Sequence, residues 1–164
     1  MSAPAGSTRA LVLFLLLTVA HTWPLASAPH RLSLNHNSDA QLNALLRDEP
    51  GDVLLAEMPF YPPDAVFENG EYVLNATGHW RPVMNGYSGV TPMSYRRHAE
   101  TLWYFPQARA FPTLQAAGAT HVMVHLEKFG AEAADVVRSL DGRPDLRLIA
   151  ADRDGHRLYR LVRE

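Results

Sequence analysis

The stretch ATHVMVHL, residues 119–126, decides the fold. Its Val122, Val124 and Leu126 recur at every second position, and β-branched side chains pack well on a pleated strand. An amphipathic helix would need apolar residues at every third or fourth position instead. The stretch therefore predicts a strand with one apolar face.

Further helices and strands follow from the apolar periodicity and the turn residues on both sides of this strand. Gly118 ends the helix before the strand, the Asp-Gly pair at 141–142 ends the helix after it, and the Asp-Gly pair at 154–155 joins a hairpin. The elements predicted in this way are helices over 94–104, up to 117 and over 132–140, and hairpin strands over 146–151 and 157–162. This order predicts an α/β domain with a small mixed sheet and flanking helices, with an α+β arrangement as the alternative.

Two more strands are expected near the start of the domain. Residues 53–58 form a short apolar run closed by Pro59, which is typical of a buried strand. The Asn-Gly pair at 69–70 is a tight-turn dipeptide, and the β-prone residues 72–74 behind it predict another strand. Residues 78–92, rich in Gly, Pro, Asn and aromatic residues, are expected to form a structured loop.

The N-terminal segment is the most hydrophobic part of the chain. Residues 10–20 (ALVLFLLLTVA) have the length of a signal-peptide core, and Ala26-Ser27-Ala28 offers small residues for cleavage. If the helix continues to residue 28, it is about 28 Å long, which is enough to cross a bilayer core. We expect an uncleaved membrane anchor; a cleaved signal with secretion and a buried core helix are the alternatives.

This segment divides the chain into three parts. Residues 1–28 are expected to form the membrane helix or signal segment, 29–51 a polar connector, and 52–164 an extracytoplasmic α/β domain. Arg9, which precedes the hydrophobic run, suits an orientation with the N-terminus inside and the C-terminal domain outside the cell membrane.

Composition excludes several classes of function. The formal net charge is -2 and there is no Lys/Arg stripe, so we expect no nucleic-acid partner. The chain has no cysteine, which excludes disulfides, thiolate zinc sites and a cysteine nucleophile. The sequence contains no dinucleotide-binding glycine motif and no phosphate-binding P-loop, and we expect no cofactor.

Two histidines of the central strand are the obvious candidates for metal ligation. His121 and His125 would lie on one face of a helix, but the alternation of apolar residues places them on a strand. Four residues along a strand separate them by about 13 Å, which is too far to bind one ion together. We therefore expect buried or edge-facing histidines and no metal.

The densest set of potential ligand-binding groups lies in the loop HWRPVMNGYSG, residues 79–89. Arg81 has the fork geometry that grips a phosphate or carboxylate, Asn85 adds an amide, and Trp80 and Tyr87 can stack on a sugar ring. In the structural alternative, both aromatic side chains plug the core while Arg81 and Asn85 bind the backbone of the loop.

Acid–base chemistry has a weaker candidate set. Glu57, Asp64 and Glu68 could include a pair of catalytic carboxyl groups, but their spacing fixes no separation. We interpret all three as solvated charges on a loop.

The loop HWRPVMNGYSGVTPMSY, residues 79–95, together with EMP at 57–59 and YVLNAT at 72–77, resembles the extracytoplasmic C-terminal region of bacterial GT-C-type membrane glycosyltransferases. These multi-spanning proteins use polyprenyl-phosphate sugars and are related to protein mannosyltransferases. The likeness continues through 120–125 and covers about residues 52–164. It implies a polyprenyl-phosphate sugar or a multi-spanning membrane protein as partner, and membrane lipid around the N-terminal helix.

The N-terminal part resembles the first membrane helix and outer loop of the same family. The resemblance makes Asp39 the position that matches a catalytic acidic residue in that loop. The family has many further membrane helices between these two parts, whereas here only eight residues separate Asn43 from Asp52. We therefore expect a domain that is not catalytic alone, either a truncated or internally deleted relative of the family or a protein with an accessory or binding role. A hexosyltransferase subunit completed by a partner protein and a secreted binding module are the alternatives.

Overall fold

A computed structural model describes residues 40–162 of the 164-residue chain. The predicted membrane helix at 1–28 and the acidic candidate Asp39 lie outside the described residues. In chain order the elements are α1 (Ala40–Asp48), β1 (Leu55–Met58), a 3-10 helix (Pro63–Glu68), α2 (Asn69–His79), α3 (Met93–Leu102), α4 (Ala110–Ala116), β2 (His121–His125), a second 3-10 helix (Leu126–Glu132), α5 (Ala133–Asp141), β3 (Leu146–Ala151) and β4 (His156–Leu161).

The four strands form one mixed sheet in the order β1-β2-β4-β3. Strand β1 runs parallel to β2, and β4 is antiparallel to both β2 and β3, with a register shift between Leu148 and Ala150 of β3. The prediction of a mixed sheet with flanking helices is confirmed, as are strands close to the expected bounds of β1, β2 and the β3–β4 hairpin.

Alternation along the strands divides the core between the two faces of the sheet. One face carries Ala56 and Met58 of β1 with Val122 and Val124 of β2, and the buried residues of α3, α4 and α5 pack on it. The other face carries Leu55, Met123 and Leu158, which pack with Leu42 and Leu46 of α1. The sheet therefore has a helix layer on each side.

The predicted strand at 72–74 is wrong, because this segment belongs to helix α2. The Asn-Gly pair starts the helix and forms no hairpin turn. The buried side chains Asn69, Tyr72 and His79 recur at helical spacing and lie on one side of α2. Burial of that side, which the local sequence does not reveal, outweighs the β propensity of three residues.

Helix α1 lies inside the segment expected to be a polar connector. Its Leu42 and Leu46, four residues apart, are fully buried, so the folded part includes residues upstream of the expected start at 52. Only two of its positions are large and buried, which gives a weak periodic signal in nine residues. Within residues 40–162, no helix combines the length and the hydrophobicity needed to cross a bilayer.

Candidate functional site

The loop that carries most of the predicted site follows α2 and runs along the outer side of β1. The backbone N–H of Leu55 donates to the Pro82 carbonyl (3.0 Å), the Met84 N–H donates to the Leu55 carbonyl (2.8 Å), and Val83 forms a parallel bridge with Leu55. This part of the loop satisfies backbone groups that an edge strand would otherwise expose. This pairing with β1 holds the first half of the loop in place.

Asn85 ties the loop to the core. Its side chain is fully buried; Oδ1 accepts a hydrogen bond from the Glu57 N–H (2.7 Å) and Nδ2 donates to the Glu57 carbonyl (3.0 Å). The amide thus replaces a neighbouring strand's peptide group. Asn85 thus binds the backbone of β1, whereas the structural alternative expected it to bind the backbone of the loop.

Arg81 binds backbone carbonyls near the end of α1. Its guanidinium donates to the carbonyls of Leu46 (3.0 Å), Arg47 (2.8 Å), Gly51 (3.5 Å) and Glu49. A helix leaves its last carbonyls without partners inside the helix, and a cation is favourable at that end. These contacts hold α1 against the domain and occupy the donors that a phosphate would need.

Trp80 sits at the corner between α2 and the loop. It caps α2 in the left-handed conformation (φ 57°), and its N–H donates to the Ala76 carbonyl at 2.8 Å. The side chain is 79% exposed, which contradicts the alternative that it plugs the core. Trp80 is absent from the lining of the cavity beside Tyr87.

Tyr87 lies over a cavity of about 330 Å³ and is 53% exposed. Most of the lining residues come from the loop and the start of α3. They are Leu54, Val66, Met84, Gly86, Tyr87, Ser88, Val90, Thr91, Pro92, Ser94, Tyr95, His98 and Ala117. None of these described residues is Asp, Glu, Lys or Arg, so the cavity combines apolar walls with hydroxyl groups and one imidazole.

Hydrogen bonds beneath the cavity hold its wall in place. Asn69 Nδ2 donates to the Gly86 carbonyl (3.2 Å) and to the Tyr95 hydroxyl oxygen (2.6 Å), and the Tyr95 hydroxyl donates to the Tyr61 carbonyl (2.7 Å). Burial raises the pKa of Tyr95, while the hydrogen bond from Asn69 acts in the opposite direction. The wall is therefore a neutral, fixed surface.

Glu57 is placed quite differently from the expected solvated loop charge. It lies on β1, is 2% exposed, and its Oε2 is 2.6 Å from Nε2 of the buried His125. Tyr72 stacks on the His125 ring with centroids 4.9 Å apart. Asp64 and Glu68 are exposed, as predicted. Sequence reasoning missed the Glu57–His125 pair because parallel pairing of β1 and β2 brings together residues 68 positions apart.

One group of three potential metal ligands occurs among residues 40–162: His125, Glu127 and His156. Burial acts to raise the pKa of Glu127, but its hydrogen bonds and the neighbouring histidines outweigh burial and hold the pKa below its usual range. His121 occupies the opposite end of β2 from His125, with Nδ1 2.9 Å from the Thr120 hydroxyl. The two histidines thus lie on a strand, as predicted, and His121 is outside the group.

No protein-family model matches the chain. A comparison with curated proteins likewise gives no match. The roles of individual residues therefore rest on the geometry described above, and kinship with GT-C-type glycosyltransferases stays a prediction from the sequence.

Proposed function

We propose that the chain is a membrane-anchored, extracytoplasmic binding domain related to the C-terminal region of GT-C-type glycosyltransferases, and that it binds a sugar without transferring it. The cavity beside Tyr87 is the observation that carries the proposal. Most of its lining comes from residues 79–95, the same segment on which the resemblance rests.

The chemistry of the cavity suits the sugar rather than the phosphate of a polyprenyl-phosphate sugar. A volume of about 330 Å³ lies at the lower end of ligand-pocket sizes, where a monosaccharide fits. The half-exposed Tyr87 ring offers an aromatic face, and Ser88, Thr91 and Ser94 offer hydroxyl groups. Arg81, the expected phosphate ligand, is engaged with carbonyls near the end of α1.

The absence of catalysis by the lone chain is the second part of the proposal. The enzymes that the chain resembles form their lipid-phosphate-sugar site among several membrane helices. In this sequence no such helices lie between Asn43 and Asp52. Among the described residues that line the cavity, none carries a carboxyl group that could act as an acid or base on the sugar.

Binding is tested with the full chain in detergent, using three probes measured by calorimetry. The probes are a short-chain polyprenyl-phosphate hexose, the matching methyl hexoside and the matching prenyl phosphate. We expect both sugar-bearing probes to bind. Tyr87→Ala should weaken the binding of both sugar-bearing probes by about 0.5–1.5 kcal/mol, roughly two- to tenfold in Kd, because the contact with the tyrosine ring is lost.

Tyr104→Ala is the matched control, because Tyr104 is also an exposed tyrosine but does not line this cavity. It should leave the Kd unchanged. The sugar site would be contradicted if prenyl phosphate were the one probe of the three that bound. It would also be contradicted if the Tyr87→Ala variant bound the sugar-bearing probes with the affinity of the wild type. Transfer of a labelled sugar by the lipid-reconstituted chain would contradict the non-catalytic role, and release into the soluble fraction by an alkaline wash would contradict the anchor.

A further inference from the structure

His125, Glu127 and His156 meet where β2 ends and β4 begins. His125 is the last residue of β2 and pairs directly with His156, the first residue of the antiparallel β4. Glu127 follows two positions after His125 in the 3-10 helix, and the Leu126 N–H donates to the Gly155 carbonyl at 3.3 Å. The strand pairing and the turn thus fix the backbones that carry all three side chains.

The distances among the three side chains are close to the distances between the ligands of one metal ion. His125 Nδ1 is 3.9 Å from Glu127 Oε1, His156 Nε2 is 3.4 Å from Glu127 Oε2, and the three ligand atoms lie within 4.8 Å of one another. Ligands about 2.0–2.1 Å from a tetrahedral zinc ion are about 3.3 Å apart. The Glu127 side chain is 46% exposed and has room to rotate toward an ion.

A buried carboxylate holds the other ring nitrogen of each histidine. Glu57 Oε2 is 2.6 Å from His125 Nε2, and Asp152 Oδ2 is 2.7 Å from His156 Nδ1. Asp152 is itself fixed, because its Oδ1 accepts hydrogen bonds from the N–H groups of Asp154 (3.0 Å) and His156 (2.8 Å). Carboxylate partners of this kind orient metal-binding histidines and make the facing nitrogen a better ligand.

We infer that His125, Glu127 and His156 bind one divalent transition-metal ion through Nδ1, a carboxylate oxygen and Nε2, with Glu57 and Asp152 as positioning residues. Two imidazoles and one carboxylate suit zinc or iron(II), whereas calcium and magnesium prefer oxygen ligands. Three protein ligands leave coordination positions for water or another molecule. The site shares no residue with the lining of the cavity beside Tyr87, so it stands independently of the proposed sugar binding.

Zinc alone is the first probe, titrated by calorimetry into the full chain after removal of its affinity tag. Cobalt(II) is the second probe, because its visible d–d absorption reports the ligands and geometry directly. We expect one saturable site with the ligands named above, and magnesium should not compete. Glu127→Gln should raise the Kd for zinc at least about tenfold. Loss of an outer-shell partner already weakens metal binding by about that factor, and loss of a direct ligand should weaken it no less.

Glu132→Gln is the matched control, because Glu132 is an exposed glutamate in the same 3-10 helix and lies outside the ligand group. It should bind zinc like the wild type. His156→Asn should abolish the cobalt spectrum, and circular dichroism checks that the hairpin persists. Equal zinc affinity in wild type and Glu127→Gln, or a cobalt spectrum that survives both ligand substitutions, would overturn the site.

Discussion

The two faces of the sheet are built on different principles. The face covered by α3, α4 and α5 is apolar along β1, β2 and β4, from Ala56 and Met58 to Val124 and Tyr159. The opposite face is apolar only in part, and at the end of β1 and β2 it carries Glu57 and His125. Apolar contacts are tolerant of small shifts, whereas a buried charged or polar group needs a partner at one distance and one angle. The first face therefore supplies stability and the second supplies fixed chemical groups.

The largest expected effect is a loss of stability on substitution of Phe111 of α4, which belongs to the core on the apolar face. Its ring is buried, packs on Phe105 with centroids 5.6 Å apart, and is covered by the Arg143 guanidinium at 3.4 Å. Phe111→Ala should lower the free energy of unfolding by about 3–5 kcal/mol, because it removes the ring and leaves a cavity. Chemical denaturation followed by tryptophan fluorescence measures this loss.

The matched control is Phe67→Ala, because the Phe67 side chain is more than half exposed. It should change the free energy of unfolding by about 0.5 kcal/mol or less. Equal losses for the two phenylalanines would contradict the described layer of α4 on the sheet.

A smaller effect is expected on the other face at Glu57. Glu57→Gln keeps the side-chain volume and the main-chain bonds to Asn85, but it removes the carboxylate that holds His125. We expect a loss of about 1–3 kcal/mol in the free energy of unfolding. Glu68→Gln, at an exposed position, should have almost no effect.

A double-mutant cycle sharpens this prediction. If the pair acts as described, Glu57→Gln and His125→Asn should deviate from additivity by about 0.5–3 kcal/mol. Additive losses would mean that the two side chains contribute separately, and would remove the contrast between the faces.

The smallest expected effect is a dependence of stability on pH. Burial lowers the pKa of His121, an effect that Glu49 opposes and Arg160 and Arg81 reinforce; burial also lowers the pKa of His79. These two imidazoles therefore bind protons more readily in the unfolded chain than in the folded one. Their contribution to stability is fully present above the unfolded pKa of about 6.5 and is lost as the pH drops below it.

Denaturation midpoints measured between about pH 7.5 and about pH 5.5 test this sign. His121→Asn should flatten the decline, because it removes one of the groups that protonate on unfolding. A midpoint that rises on acidification would contradict the assignment of neutral, buried imidazoles.

Local patterns predicted the four strands of the sheet, together with a strand at 72–74 that is helical in the structure, but they could not predict long-range partners. The alternation at Val122 and Val124 and the Asp-Gly turn at 154–155 placed the sheet, since both signals act over a few residues. The guanidinium of Arg81 and the amide of Asn85 bind backbone groups 28 to 35 residues away, and no local signal shows such contacts. Of the four predicted ligand residues, the structure brings only Tyr87 to the cavity.

Closure of the β1 edge by the loop at 82–85 has a consequence for self-association. An uncovered strand edge is a template on which another chain can add, and long, flat, apolar edges lead to aggregation. Here the loop already pairs with β1, so that edge offers no ladder to a second molecule. At the opposite edge, β3 carries the irregularity between Leu148 and Ala150, and a bulge of that kind twists an edge away from flat pairing. Both borders of the sheet thus disfavour growth into fibrils.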